Sequence, residues 1–332
     1  MKKILIYNSG GGIGDAVQII NLLISLHDHY KDHEIYLLQA HQNYLFENSL
    51  KELNLSFIKK APIELMYFGF RLKHFYQLNT LIKKNNIFFD IIIDLQTKLR
   101  NTIILKRIPH KIFVSSTFNN FFSVPKINID NKEDNIILRI TNYINVLNSN
   151  KFILKKYDTS QIKKLYFEEA IKLLPNNKYV GISITQGNLY RKKTLPLNYF
   201  IEVAKYLLSI NKKPVFLIEK KHFNLKNEIE NQLEGAIFPE FNTNINDPCL
   251  LVLLAKRMDY VISIDNGVMH LLSLANIPMI SIFGPTSSDK FAPKIDNIKI
   301  LSSQKLFNSK DINLITPKII IDQINLLENE IA

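Results

Sequence analysis

Cysteine is all but absent: among 332 residues there is one, Cys249, which can form no internal disulfide. No Cys/His ladder is present to hold structural zinc. A reducing, cytoplasmic setting is therefore expected. The first apolar run covers only residues 4–7, too short for a signal peptide, and no uninterrupted run approaches the ~18 residues of a spanning helix. Neither secretion nor a membrane span is expected. Arginine is scarce as well, six of the 42 basic residues in a chain of formal charge +12. Arginine is the favoured residue for planar base and phosphate recognition, so this charge gives little support to nucleic-acid binding, and no nucleic-acid partner is expected. No Asp-x-Asp pair and no Gly-Lys-Ser/Thr occur, which leaves out a metal-diphosphate carboxylate pair and a P-loop.

Hydrophobic residues make up 46% and charged residues 22%, enough apolar material for sizeable cores. The length suits about two domains at ~150 residues each. Ten glycines are few for this length, and four of them fall within residues 10–14, straight after an apolar run. Continuous apolar runs predict strands at 3–8, 34–39, 54–58, 88–94 and 111–115. Helical patterns fall at 15–29, 42–52, 65–84 and 97–106. After a polar stretch at 148–160 and a helix at 161–173 the alternation restarts, with strands at 179–184, 214–219, 236–239, 259–264, 279–283 and 298–302. Helices are predicted between them at 197–210, 224–233, 247–257 and 268–276, and a last one at 317–330. The expected class is α/β, with two Rossmann-like domains, 1–160 and 161–332, facing each other across a cleft. Ligands in such folds lie beyond the carboxyl ends of the strands.

Four segments can carry chemistry. Gly10-Gly11-Gly12-Ile13-Gly14-Asp15 has Asp15 where a dinucleotide fingerprint needs its third glycine. That leaves a backbone loop presenting one carboxylate, suited equally to capping the following helix or to accepting a proton. Asp265-Asn266-Gly267-Val268-Met269-His270 ends a buried strand and opens a helix whose free N–H groups suit a pyrophosphate, with His270 as a further donor and Gly284-Pro285-Thr286 ending the next strand. Arg191-Lys192-Lys193 either neutralises a phosphate or is a solvated charge run. The polar end of residues 89–100, with Asp94, Gln96 and Arg100, either touches a polar acceptor or forms an ordinary turn. His27, His29 and His33 read as a solvated helix end rather than metal ligands. The aromatic and basic stretch 67–84 packs a core or, as a secondary expectation, rests on an anionic membrane.

Taken in order, these segments resemble glycosyltransferase family 9, the heptosyltransferase-like enzymes of lipopolysaccharide assembly. The matches are Gly14-Asp15 after the first strand, Asp94-Leu95-Gln96 with its basic helix start, Lys193 three residues before Pro196, and Asp265 to His270 followed by Phe283-Gly284-Pro285-Thr286. The resemblance implies a GT-B architecture and inverting transfer from a nucleotide-diphospho-sugar of the ADP-heptose kind to a cell-envelope saccharide on a lipid, with no cofactor and no metal. By matched position Asp15 would be the general base. Lys193, Asp265, Asn266, Gly267, His270 and Thr286 would bind the donor, and Gly14, Asp94, Gln96 and Arg100 the acceptor. Such an enzyme would work in the cytoplasm, at the inner face of the inner membrane. Three departures stand out: Asn266 replaces the family's usual Thr or Ser, Leu195 its Trp, and the segment 215–222, ending Glu219-Lys220-Lys221-His222, has no glycine. Alternatives are a non-catalytic nucleotide-sugar-binding protein and another GT-B enzyme such as a nucleotide-sugar epimerase.

Overall fold

The computed structural model describes residues 1–39, 45–46, 49–126, 133–148, 151–186 and 193–331. It divides into two compact units, Met1–Tyr157 and Asp158–Ala332. The first holds β1 (Lys2–Asn8), β2 (His33–Gln39), β3 (Ile58–Lys60), β4 (Phe89–Asp94) and β5 (His110–Ser115), paired in parallel in the order β3-β2-β1-β4-β5. The central strand shows why: Ile4, Leu5, Ile6 and Tyr7 of β1 are all fully buried. Side chains alternate between the two faces of a strand, so a run with no polar parity requires cover on both faces, which crossover helices supply.

The second unit repeats the design with β6 (Tyr179–Ser183), β7 (Lys213–Phe216), β8 (Met258–Ile264), β9 (Met279–Phe283) and β10 (Ile298–Ser302). These also pair in parallel, in the order β7-β6-β8-β9-β10. On one face lie the helices Leu197–Ser209 and Pro317–Ile331. They bury Phe200, Val203, Ala204 and Leu207, and Ile320, Ile324 and Leu327, at the spacing that keeps one helical face inward. Each of these side chains other than Ala204 contributes about 1.5–3 kcal/mol by leaving water. Cys249 is a buried thiol opening the wholly buried helix Cys249–Ala255.

Several elements differ from the sequence expectation. The helix expected at 15–29 forms as Ile13–Gln18 and Ile20–His29, interrupted at Ile19. The one expected at 65–84 begins only at His74, because Tyr67 and Gly69 turn in the left-handed region. A Cβ on Gly69 would meet the Tyr7 hydroxyl at 2.8 Å, so only glycine serves at that bend. Of the helix expected at 42–52, residues 42–44 and 47–48 lie outside the described residues, and a 3₁₀ turn spans Lys51–Leu53. The strand expected at 54–58 starts at Ile58, after Asn54 ends that turn with φ 56°. The strand expected at 236–239 reduces to one bridge between Val215 and Ile237, since Pro239 lacks an N–H and opens a 3₁₀ turn. The unexpected helix Ile136–Leu147 buries Ile137, Ile140, Tyr143 and Ile144.

Among the described residues no helix is long and apolar enough to cross a membrane.

Candidate functional site

In each sheet the strand order reverses direction once, between β1 and β4 in the first unit and between β6 and β8 in the second. Crossovers on either side of such a point leave for opposite faces, so a crevice opens beyond the carboxyl ends of those two strands. The polar segments singled out above follow these strands.

At the β1–β4 point, Asp15 lies in the first turn of the helix Ile13–Gln18, whose N-cap is Gly12. Glycine has no side chain to cap a helix, and Asp15 Oδ2 instead accepts the Gly12 N–H at 3.0 Å. The carboxylate thus satisfies an orphan donor at the positive end of the helix while its side chain stays partly exposed. A Cβ on Gly10 would meet Asp15 Cβ at 2.3 Å and Cγ at 2.4 Å, so glycine at position 10 makes the room that this side chain fills. Asn8, at the end of β1, ties the point together. Its Nδ2 donates to Asp15 O at 2.9 Å, and its Oδ1 accepts from Gly10 N at 3.2 Å and from Gln96 Nε2 at 3.4 Å. Gly14, Asp15 and Gln96 are thereby gathered at one place.

Asp94 is different. Expected to touch an acceptor, it is fully buried. Its Oδ1 accepts from Gln96 N at 3.0 Å and its Oδ2 from Thr102 Oγ1 at 2.6 Å and Ser115 Oγ at 2.9 Å. It braces β4, β5 and the helix Leu99–Leu105 from within and offers an incoming sugar no accessible oxygen. Burial raises its carboxyl to about 6 against these three hydrogen bonds. The neighbouring Tyr7 phenol is pushed up by burial and by the Asp94 charge. Arg100 is exposed, donates from Nε to Gly69 O at 2.9 Å, and lies 5.8 Å from the Phe70 ring centre.

The Asp94 shift has a measurable consequence. The folded carboxyl holds its proton to higher pH than the unfolded one, so its contribution to stability is fully present below the unfolded value near 3.8 and is lost as pH rises through about 6. Asp94→Asn, which keeps an acceptor for Gln96 N–H and lets the two hydroxyls reverse, removes this dependence. Urea unfolding is expected to show the variant gaining on the wild type by roughly 2–2.5 kcal/mol between pH 4 and pH 7. A constant difference over that range would show that Asp94 is not held protonated.

At the β6–β8 point, Asp265 is buried and Oδ2 accepts from Lys193 Nζ at 2.6 Å and Thr286 Oγ1 at 2.5 Å. Asn266 caps the helix Gly267–Ser273 by accepting Met269 N–H at 2.7 Å. Its Nδ2 donates to Ser183 Oγ at 3.0 Å and Thr185 O at 2.8 Å, binding the ends of β6 and β8 together. His270 is buried and its imidazole is lowered to about 4, first by burial and further by Lys193, with Asp265 opposing. At neutral pH it is an uncharged ring able to donate one N–H. Among the described residues, positive charge in this cluster comes from Lys193. Gly187, Arg191 and Lys192 lie outside the described residues.

Sequence reasoning did not find several of the supports. These include Asn8, the Thr102 and Ser115 hydroxyls on Asp94, Ser183 and Thr185 on Asn266, Gln186 accepting the Lys193 N–H at 2.9 Å, and Gln304 donating to Gly284 O and Thr286 O at 2.7 and 2.9 Å. After β7, Glu240 was also missed: burial and the charge of Glu219 raise its carboxyl to about 7. Polar residues at strand ends were the one available signal, strongest for Asn8-Ser9. Among the described residues no group of three or more His, Cys, Asp or Glu side chains is arranged to hold a metal ion.

Two parallel α/β units of Rossmann type, each with polar residues at its reversal point, define the GT-B class of architecture. The solved structure of a family 9 glycosyl transferase from Veillonella parvula matches with a TM-score of 0.69 at 17% identity, covering 99% of this chain and 98% of that one. The heptosyltransferase WaaC of E. coli with ADP matches at 0.66 with 12% identity, covering 99% and 100%. In sequence, residues 78–316 match glycosyltransferase family 9 (heptosyltransferase), and the chain belongs to that family. Lipopolysaccharide heptosyltransferase 1 of Campylobacter coli is 26% identical over 260 residues, 70% of this chain and 71% of that protein. The protein is thus a heptosyltransferase-like glycosyltransferase.

Proposed function

We propose that the chain transfers a heptose or related sugar from an ADP-heptose-like donor to the saccharide of a lipopolysaccharide or similar envelope lipid, with inversion and without a metal. The acceptor oxygen attacks the anomeric carbon as the bond from that carbon to the diphosphate oxygen breaks. The electron pair leaves with the diphosphate and the acceptor proton passes to Asp15. The first domain takes the acceptor and the second the donor. The observation that carries the reading is the Lys193–Asp265–Thr286 cluster beside the Asn266-capped helix. It combines the Lys193 cation with N–H groups that have no partner inside their helix, and such preset dipoles favour growing negative charge on a leaving diphosphate.

In this reading Lys193, Gly267 and His270 face the diphosphate, while Asp265, Asn266 and Thr286 hold them in place. Gly14, Gln96 and Arg100 meet the acceptor, and Asp94 acts through the backbone it braces. The substrates are supported by the Campylobacter coli relative, a lipopolysaccharide heptosyltransferase, and by the ADP held in the E. coli structure. The test is incubation of ADP-heptose with a deacylated envelope saccharide in the presence of a chelator, followed by NMR of the anomeric proton. A product of inverted configuration, formed at a rate the chelator does not change, is expected. Retained configuration, dependence on a divalent ion, or conversion of donor alone to an epimer would each overturn the proposal.

A further inference from the structure

The turn Gly284-Pro285-Thr286 leaves the second sheet where β9 ends. Pairing of β9 stops at Ile282 on the β8 side and at Phe283 on the β10 side, so the carbonyls of Gly284 and Thr286 lie past the ladder and need donors from elsewhere. One side chain supplies both. Gln304 Nε2 donates to Gly284 O at 2.7 Å and to Thr286 O at 2.9 Å, which uses the two hydrogens of the amide nitrogen. Gln304 stands in the short helix Ser303–Phe307, straight after β10, and Ser303 Oγ fastens that helix to Ser309 O at 2.8 Å. The turn also rests against Ile312, whose Cβ lies 2.6 Å from the place a Cβ on Gly284 would take.

Thr286 carries this hold to the reversal point. It is buried, and while its carbonyl takes the Gln304 N–H its hydroxyl donates to Asp265 Oδ2 at 2.5 Å. Lys193 Nζ donates to the same oxygen at 2.6 Å. A rotation of the Asp265 carboxylate therefore moves the hydroxyl and the cation together. Asp265, Thr286 and Gln304 follow the carboxyl ends of β8, β9 and β10, three strands that lie side by side. The contacts thus run from the edge of the sheet to the ammonium at the reversal point.

We infer that Gln304 is a positioning residue for the donor, holding Thr286 so that Asp265 presents Lys193 to the diphosphate. The inference rests on the donor role proposed for Lys193 and gives that role a support two strands away. A group that binds a substrate is only as well placed as the neighbours that lock it, and a displacement of about 1 Å is costly. What the turn needs from position 304 is a pair of hydrogen-bond donors. A support that served folding alone would change stability and leave the affinity for the donor as it was.

Calorimetric titration of the full chain with ADP, well below the melting temperature, tests it. Gln304→Met, close in size and without a donor, should weaken ADP roughly tenfold and raise KM for the sugar donor alike, with KM for the acceptor within about twofold of wild type. Gln304→Lys, whose ammonium can donate to both carbonyls, should recover most of the affinity. Thr286→Val cuts the same chain of contacts one step nearer Asp265, so adding Gln304→Met to it should weaken ADP by less than about twofold more. Equal losses in the Met and Lys variants, or losses that add in the double variant, overturn the inference. So does a Gln304→Met protein that melts earlier yet binds ADP like the wild type while Lys193→Ala does not. ADP binding unweakened in Lys193→Ala is a different result: it removes Lys193 from the donor site and takes this inference with it.

Discussion

Asp15→Asn is expected to lower the turnover number by roughly 100-fold or more at saturating acceptor, with donor affinity within about twofold of wild type. The structure gives Asp15 a second task, the hydrogen bond from Gly12 N–H at 3.0 Å, and the choice of asparagine keeps the two tasks apart. An amide oxygen can still accept that N–H, so the helix start survives, and only the loss of negative charge near the helix dipole is felt, about 0.3–1 kcal/mol. An amide cannot take a proton from an attacking hydroxyl. Asp15→Ala removes both functions and should add about 1 kcal/mol of destabilisation from the lost cap without a much larger fall in rate. Stopped assays of transfer and thermal melts on the two variants decide the matter. If Asp15→Asn turns over like the wild type, the carboxylate is a cap and nothing more, and the base must be sought elsewhere.

A neighbouring position reinforces the distinction. Gly10 leaves the volume that the Asp15 side chain occupies, and Asn8 holds the Asp15 backbone at 2.9 Å while reaching Gln96 at 3.4 Å. A cap needs only the local turn. The additional tie to the loop after β4 orders Asp15 relative to the residues proposed to meet the acceptor, and such positioning is what a proton transfer requires.

The alternation of buried strands and helices was legible because β1 is apolar at both parities and β4, β8 and β9 place apolar residues on both despite their Asp and Ser residues, a pattern that a sheet open on one face would not produce. Most of their bounds were found within about a residue of those observed. The helix Ile136–Leu147 carried a readable signal as well: Asn135 caps it, accepting from Ile137 N and Leu138 N at 3.0 and 3.3 Å, and Ile137, Ile140 and Ile144 mark its inner face. Failures came where backbone or tertiary geometry decided. The aromatic run at 65–73 has helical spacing, yet Gly69 bends under the Tyr7 hydroxyl, 62 positions away in the chain, and helix formation waits for His74. For the site, the polar residues at strand ends were visible as a set. That Asp94 faces inward to Thr102 and Ser115, while Asp15 stays at the surface, depends on which strand lies beside which, and no local pattern around Asp94 encodes it.

The Lys193–Asp265 pair supplies the second large effect. With Lys193 replaced by Ala, the Asp265 carboxylate, whose side chain is 7% exposed, keeps the Thr286 hydroxyl alone among the donors of the described residues. An unpaired buried charge costs about 3–5 kcal/mol, and the lower end applies because the Lys193 side chain retains 20% of its exposure. Loss of the cation should also slow turnover by roughly 100- to 1000-fold, the effect of deleting a group that stabilises developing charge. The two losses have different remedies. Asp265→Asn added to Lys193→Ala removes the stranded charge, so the double variant should regain most of the stability and none of the turnover. His270 reports on the same electrostatics. Lys193 lowers its imidazole and Asp265 raises it, so Lys193→Ala should move the ring upward from about 4, and Asp265→Asn alone should move it lower still, as followed by NMR titration. Turnover that returns together with stability in the double variant would make Lys193 a structural counter-ion and remove it from the donor site. Stability alone returning would leave Lys193 as the cation that meets the diphosphate, with Asp265 as the residue that holds it ready.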